Sequence, residues 1–191
     1  RSSKTLPTKA ERAQVLALAL GALLLQGHEM VATLDGQLPP SRDPSSLLSL
    51  YTGLNTPQSH QKGQGNVPPQ GDIPRRAHVM AVGDFVLQPE ETCAWLGSLS
   101  HRGTPAVLLE IADPAEETFP YKAPTLFKGL EGEDDESVGN PHGLRQSYLE
   151  QRQHNRKLIQ ETANRCGAHY LTHLSNQSPE GTLQKLYQLL N

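Results

Sequence analysis

The most informative carboxylate of the sequence is Asp84, which directly follows the apolar run Val79-Met-Ala-Val-Gly83. Such a run predicts a strand of a parallel sheet, and ligands of open parallel sheets bind just outside the carboxyl ends of the strands. A carboxylate at that place suits a hard cation such as Mg²⁺, which prefers oxygen ligands and keeps several waters. The alternative role is structural, because an Asp at a strand end can also cap the next turn.

A second group of acids follows another apolar run, in the stretch Asp113-Pro-Ala-Glu-Glu-Thr118. Asp113 and Glu116 could add ligands to a cation site at Asp84 or contact a partner protein. We favour the other interpretation, in which these acids cap and solvate a loop. A further acidic run comprises Glu131, Glu133, Asp134, Asp135 and Glu136. It lacks the alternation of a calcium-binding loop, so it predicts a solvated turn or a contact for a basic partner.

Other patterns that could support chemistry are weaker. His169 and His173 have the spacing of two metal ligands on one face of a helix, but they flank Tyr-Leu-Thr, which predicts a strand. Four strand steps span about 13 Å, which is too far for the two side chains to share one ion. Gly63-Gln-Gly65 does not follow a strand, so it is not a dinucleotide-binding fingerprint. The sequence also lacks a nucleophile elbow, a phosphate-binding loop, a Cys-x-x-Cys motif and a His-Glu-x-x-His motif.

The elements that must position these residues alternate along the sequence. Periodicity and capping predict helices over residues 9–26, 45–54, 89–101, 141–165 and 178–190. Apolar runs predict strands over residues 29–34, 75–85, 104–111 and 169–173, with an edge strand at 125–127. Apolar strands that alternate with helices predict an α/β fold: a doubly wound, mostly parallel sheet with helices on both faces, in one domain over residues 1–191.

Two stretches depart from this regular pattern. Residues 55–74 contain almost nothing to bury, and we expect them to form a flexible surface loop. The last long helix is polar all round over residues 150–157. A helix of that kind usually presents a solvated face, and the alternative is a docking surface for a partner.

Composition excludes some classes of function. The 191 residues include 17 basic and 20 acidic ones, for a net charge of −3, so we expect no binding to nucleic acid. The longest apolar run covers residues 15–25 and is shorter than the roughly 18 residues of a membrane span, so we expect no membrane insertion. Cys93 and Cys166 are far apart among apolar neighbours, which predicts buried, reduced thiols in a cytoplasmic protein. Because the chain begins with Arg1 instead of Met, we expect its natural N-terminus to lie upstream.

Five stretches, in order, resemble the C-terminal half of bacterial proteins of the "domain of unknown function 58" family. They are Leu6-Pro-Thr-Lys-Ala-Glu-Arg-Ala13, Val79-Met-Ala-Val-Gly-Asp-Phe85, Asp113-Pro-Ala-Glu-Glu-Thr-Phe-Pro-Tyr121, Gly129-Leu-Glu-Gly132 and Arg145-Gln-Ser-Tyr148. Their order covers nearly all of the chain apart from residues 55–74. The resemblance implies a domain similar to the von Willebrand factor type A fold. It also implies work beside a MoxR-type AAA+ ATPase, in a chaperone-like or complex-assembly role without an established enzymatic activity.

The resemblance further implies a metal site of defined composition. An Asp-x-Ser-x-Ser loop after the first strand, a Thr of a later loop and an Asp at the end of the fourth strand would hold the ion. Asp84 matches the last of these, and the first strand with its loop is expected upstream of Arg1. We therefore expect no cofactor in this chain and Mg²⁺ only in the longer protein. A sheet that lacks its first strand would also expose an edge, through which the chain could associate with another copy.

Two functions follow as hypotheses. The first is a non-enzymatic interaction module, in which Asp84, Asp113 and Glu116 receive a group of a partner protein, with or without Mg²⁺. The second is a metal-dependent hydrolase that holds a cation with the same three strand-end carboxylates. The hydrolase also needs a nucleophile or a general base, which the sequence does not clearly offer, so we favour the interaction module.

Overall fold

The computed structural model describes residues 7–55, 68, 72–74, 76–120, 126–127, 136–137 and 141–190. Six helices and five strands occur among these residues. The helices are α1 (Lys9–Gln26), α2 (Ser46–Asn55), α3 (Pro89–His101), α4 (Pro114–Thr118), α5 (Pro141–Arg165) and α6 (Pro179–Leu190). The strands are β1 (Val79–Gly83), β2 (Ala106–Ala112), β3 (Leu126–Phe127), β4 (Glu136–Ser137) and β5 (His169–Leu174).

The main sheet has three parallel strands in the order β1-β2-β5. Val79 of β1 pairs with Ala106 of β2, and Val107 of β2 pairs with His169 of β5. All seven residues of β2 are buried, as expected for a central parallel strand that is covered on both faces. The prediction of an α/β fold with a parallel sheet is therefore confirmed.

Helices cover both faces of this sheet, and β2 supplies alternate residues to each side. On one face, Leu108 packs with Trp95 and Leu96 of α3 and with Ile159 of α5. On the other face, a second buried group is formed by residues of α1, β2 and α6, namely Leu16, Leu20, Val107, Leu109, Ile111 and Leu186. The carboxyl ends of the three strands consequently lie together at one edge, with helix termini around them.

Local sequence signals explain where the first helix begins. The Thr8 side chain accepts a hydrogen bond from the Glu11 backbone N–H, and the Glu11 carboxylate accepts one from the Thr8 backbone N–H. This capping box fixes Lys9 as the first residue of α1. Gly27 caps the other end, so the predicted helix over residues 9–26 is confirmed.

The predicted strand over residues 29–34 is wrong. Val31 makes a single antiparallel bridge with Ser41, outside the sheet. The segment folds back on itself instead, because the Thr33 N–H donates to the Leu38 carbonyl, and Asp35 accepts from the Thr33 hydroxyl and from the Gln37 N–H. Side-chain hydrogen bonds of this kind offer a backbone an alternative to a sheet ladder.

The other predicted elements differ from the structure by a few residues. The strands predicted over 75–85 and 104–111 are observed as β1 and β2, and the edge strand predicted at 125–127 is observed as β3, paired antiparallel with β4. Glu136 of the predicted acidic turn belongs to β4, and the rest of that turn lies outside the described residues. Most of the loop predicted over residues 55–74 also lies outside them. In the part of the chain that the structure describes, no helix is long and apolar enough to cross a membrane.

Candidate functional site at the carboxyl edge of the sheet

Asp84 lies at the predicted place, immediately after β1, and its side chain is mostly buried. Its Oδ2 accepts a hydrogen bond from Lys9 Nζ at 2.6 Å. Arg152 Nη1 lies 3.9 Å from Asp84 Oδ1, which is an ionic contact that is too long for a hydrogen bond. The carboxylate therefore faces two cations of the protein itself, at the edge where the sequence predicted a metal or partner site.

Glu116, which lies in α4 just after the end of β2, contacts the same Lys9 ammonium. Lys9 Nζ lies 2.6 Å from Glu116 Oε1 as well as 2.6 Å from Asp84 Oδ2. The other oxygen of Glu116 accepts a hydrogen bond from the Asp113 backbone N–H and lies 3.3 Å from Arg152 Nη2. The structure thus brings Asp84 and Glu116 together around one ammonium group.

Asp113 has a different role from these two carboxylates. Its side chain accepts a hydrogen bond from Ala115 N–H at 2.8 Å, and with Glu116 it forms the capping box of α4. The capping interpretation of Asp113 is therefore confirmed. A contact between Asp113 and a partner protein stays a prediction.

Beneath this edge lies a buried carboxylate that the sequence patterns did not single out. Glu110 of β2 is 0% exposed, on the face of the sheet that α5 covers. Five donors converge on its two oxygens: Arg152 Nη2, Arg156 Nη2, Arg156 Nε, Tyr170 Oη and Thr172 Oγ1. A buried charge is tolerated only when it is paired and fully hydrogen-bonded, and this arrangement meets both conditions.

The two arginines come from the part of α5 that was expected to be a solvated face or a docking surface. The solvated-face interpretation is wrong for Arg152, which is only 5% exposed, and for Arg156, which is half-buried. Both also bind Glu117, with Arg152 Nε at 3.2 Å and Arg156 Nη2 at 2.6 Å from Glu117 Oε1. Because these cations neutralise acids of β2 and α4, α5 is attached to the sheet by charge as well as by apolar contacts.

We call these seven charged residues the ion cluster: Lys9, Asp84, Glu110, Glu116, Glu117, Arg152 and Arg156. Four acids and three bases give it a formal charge of −1. The hydrogen bond from Arg156 holds the pKa of Glu117 below its usual value, despite partial burial. Burial alone would lower the pKa of Lys9, but the hydrogen bonds and charges of Asp84 and Glu116 outweigh it and raise that pKa. Both pKa shifts favour the charged forms of Glu117 and Lys9.

The residues at this edge do not fit the magnesium site that the family resemblance implies. The two acids best placed for a cation, Asp84 and Glu116, both contact the Lys9 ammonium at hydrogen-bond distance. Within the described residues, no group of three or more His, Cys, Asp or Glu side chains could hold a metal ion. A positive charge at this place is thus supplied by α1.

The two histidines considered for a metal site lie on β5, as the strand-like spacing predicts. His173 is fully buried, and its Nδ1 lies 2.9 Å from Thr182 Oγ1 of α6, whereas His169 is exposed. Burial lowers the pKa of His173, and the positive charge of Arg12 lowers it further. His173 therefore joins β5 to α6 as a neutral core residue.

Sequence reasoning placed Asp84 and Glu116 but missed the cations that hold them. One available signal was Glu110, a single charge inside the otherwise apolar strand Ala106–Ala112. A charge at such a position requires a buried partner of opposite sign. Arg152 and Arg156, which are four residues apart on one face of a helix, are the pair that this requirement predicts.

The comparisons with known proteins add nothing to this geometry. No family model, no curated protein and no solved structure matches the chain.

Proposed function

We propose that the chain is a non-enzymatic protein-interaction module that binds its partner at the carboxyl edge of the sheet. The observation that carries this proposal is the ion cluster, which holds charged groups of several elements in fixed positions at that edge. Asp84, Glu116 and Lys9 are partly exposed there, while Arg152 and Glu110 beneath them are buried. Charged groups that are held in place before binding favour specific recognition over non-specific contact.

The partner that we propose is a MoxR-type AAA+ ATPase, in chaperone-like or complex-assembly work. This part of the proposal is supported by the five sequence stretches that resemble the "domain of unknown function 58" family. Three of those stretches supply four residues of the ion cluster, namely Lys9, Asp84, Glu116 and Glu117. The stretches that carry the resemblance therefore contain residues of the charged edge.

The same resemblance supports a finer proposal for the fold, a doubly wound sheet of the von Willebrand factor A type. The order β1-β2-β5 and the helices on both faces are compatible with one half of such a sheet. Among the described residues, β1 pairs with β2 alone. We propose that the other edge of β1 accepts a further strand, from a preceding segment or from another copy of the chain.

The hydrolase alternative stays a prediction and gains no support from the geometry. It needs Asp84, Asp113 and Glu116 around one cation. In the structure, the Asp113 carboxylate caps α4, and Lys9 lies between the other two carboxylates.

The experiment is a binding titration of the chain against a purified MoxR-type ATPase of the same organism, by biolayer interferometry with ATP present. We expect Asp84→Asn and Glu116→Gln to weaken binding by about tenfold or more, as removal of one partner of a close charge pair does at interfaces. Glu161→Gln is the matched control, since Glu161 is an exposed acid of α5 that makes only a 3.8 Å ion pair with Lys157. Absence of binding by the unmodified chain, or equal binding by all variants, would contradict the proposal.

A further inference from the structure

The carboxyl edge of the sheet already contains a cation, the ammonium group of Lys9. It contacts one oxygen of Asp84 and one oxygen of Glu116, each at 2.6 Å, and its side chain is 32% exposed. Charge-assisted hydrogen bonds of this length are among the stronger polar contacts in proteins. The ammonium thus joins the residue that ends β1 to the short helix that follows β2.

The position of Lys9 is fixed by the backbone and not only by its flexible side chain. Lys9 is the first residue of α1, directly after the Thr8–Glu11 capping box. The same helix is attached to the rest of the fold further along, where Leu16 is fully buried, and Arg12 Nη2 donates to the Ser175 carbonyl at 3.0 Å. Because the helix end is fixed, the Lys9 ammonium has a fixed position between the two carboxylates, as a bound cation would have.

The charges of Asp84 and Glu116 are already balanced by cations of the protein. Asp84 and Glu116 also lie within ion-pair distance of Arg152. A divalent ion between the two carboxylates would lie directly beside the Lys9 ammonium unless it displaced that group. Like charges at such short range in a partly buried site repel strongly.

We infer that Lys9 takes the place that a divalent cation would occupy between Asp84 and Glu116, so that this edge of the sheet works without a metal. The inference deepens the proposed function, because it names the cation of the same site and makes partner binding independent of Mg²⁺. It is tested on the chain alone, without the ATPase. Its failure is therefore distinguishable from a failure of the proposed function.

The test is thermal unfolding of the 191-residue chain, followed by circular dichroism, in MgCl₂ or MnCl₂ against NaCl of equal ionic strength. Matched ionic strength removes general screening from the comparison. For the unmodified chain we expect the same melting temperature in all three salts. For Lys9→Met, in which two carboxylates lose their shared cation, we expect Mn²⁺ at about ten times its dissociation constant to raise the melting temperature by about 3–6 °C.

Two further variants locate the effect. Lys157→Met removes an exposed lysine that lies 3.8 Å from its acid partner, so it should show no response to Mn²⁺. Lys9→Met combined with Asp84→Asn should lose the response that Lys9→Met gains. Stabilisation of the unmodified chain by Mg²⁺ or Mn²⁺ beyond that of NaCl would overturn the inference, because the metal would then displace the ammonium. The inference would also be overturned if the Lys9→Met protein folds and its melting temperature is the same in MgCl₂, MnCl₂ and NaCl.

Discussion

The buried carboxylate of Glu110 offers the sharpest test of what the ion cluster does for stability. Glu110→Gln keeps the shape of the side chain and removes its charge. The amide nitrogen must replace one oxygen, and both oxygens accept from a guanidinium: Oε1 from Arg152 and Arg156, and Oε2 from Arg156. At least one arginine N–H therefore loses its acceptor in either orientation of the amide.

The expected cost can be worked from these contacts. A hydrogen bond to a charged group contributes about 1.5–3 kcal/mol, and breaking a buried ion pair costs about 3–5 kcal/mol. Arg152 and Arg156 keep Glu117 as a partner, and Arg152 also keeps Glu116, so the lower end of the second range applies. We expect Glu110→Gln to lower the free energy of unfolding by about 3 kcal/mol, and the melting temperature by about 6–12 °C for a chain of this length.

The assay is urea denaturation at neutral pH, followed by circular dichroism, for the unmodified chain and two variants. Glu161→Gln is the control, since it makes the same substitution at an acid whose side chain is 59% exposed. Its unfolding free energy should stay within about 0.5 kcal/mol of that of the unmodified chain. If Glu110→Gln changes stability no more than Glu161→Gln does, the buried charge network does not hold α5 against the sheet, and its proposed structural role is refuted.

Two further predictions concern the buried His173 and two glycines, one inside α3 and one just after it. Burial and the positive charge of Arg12 lower the pKa of His173 in the native state, whereas the unfolded chain binds this proton near pH 6.5. Stability should fall as the pH drops below about 6.5, and in His173→Gln the unfolding free energy from urea denaturation should depend less on pH in this range. If the variant shows the same dependence on pH, another group causes it. Gly97 lies inside α3, where an added Cβ meets nothing within 4 Å, so Gly97→Ala should raise the unfolding free energy by up to about 1 kcal/mol. Gly103→Ala, at φ +66°, should instead lower it by about 1–2 kcal/mol; the reverse order of the two variants would show that backbone conformation does not decide their stability.

The elements of this fold were largely predictable because their signals are local. The capping box at Thr8 and Glu11 predicts the start of α1, and Pro89 in the first turn predicts the start of α3. The buried run of β2 predicts a central parallel strand. The segment over residues 29–34 also contains apolar residues, but hydrogen bonds of Thr33 and Asp35 turn it back locally, so composition alone predicts the wrong element there.

The candidate site was predictable only in part. Asp84 and Glu116 could be placed, because parallel strands bring their carboxyl ends to one edge. The identity of the cation could not, since Lys9 lies 75 positions from Asp84 and 107 from Glu116, and no periodicity relates residues at such distances. The prediction that the polar stretch of α5 is a solvated face was wrong for a related reason. A helix that contacts a buried carboxylate needs charged residues on its inner face, so hydrophobic periodicity no longer marks the buried side.

The ion cluster also bears on how long the folded state persists. Its members come from α1, the end of β1, β2, α4 and α5, so the cluster can close only after segments as far apart as residues 9 and 156 have come together. Contacts between such distant segments carry a large loop-closure cost and form late in folding. Interactions that are absent from the transition state slow unfolding and leave the folding rate almost unchanged. We therefore expect these charges to act chiefly on the lifetime of the native state, which gives the chain kinetic resistance to opening at the edge that a partner would engage.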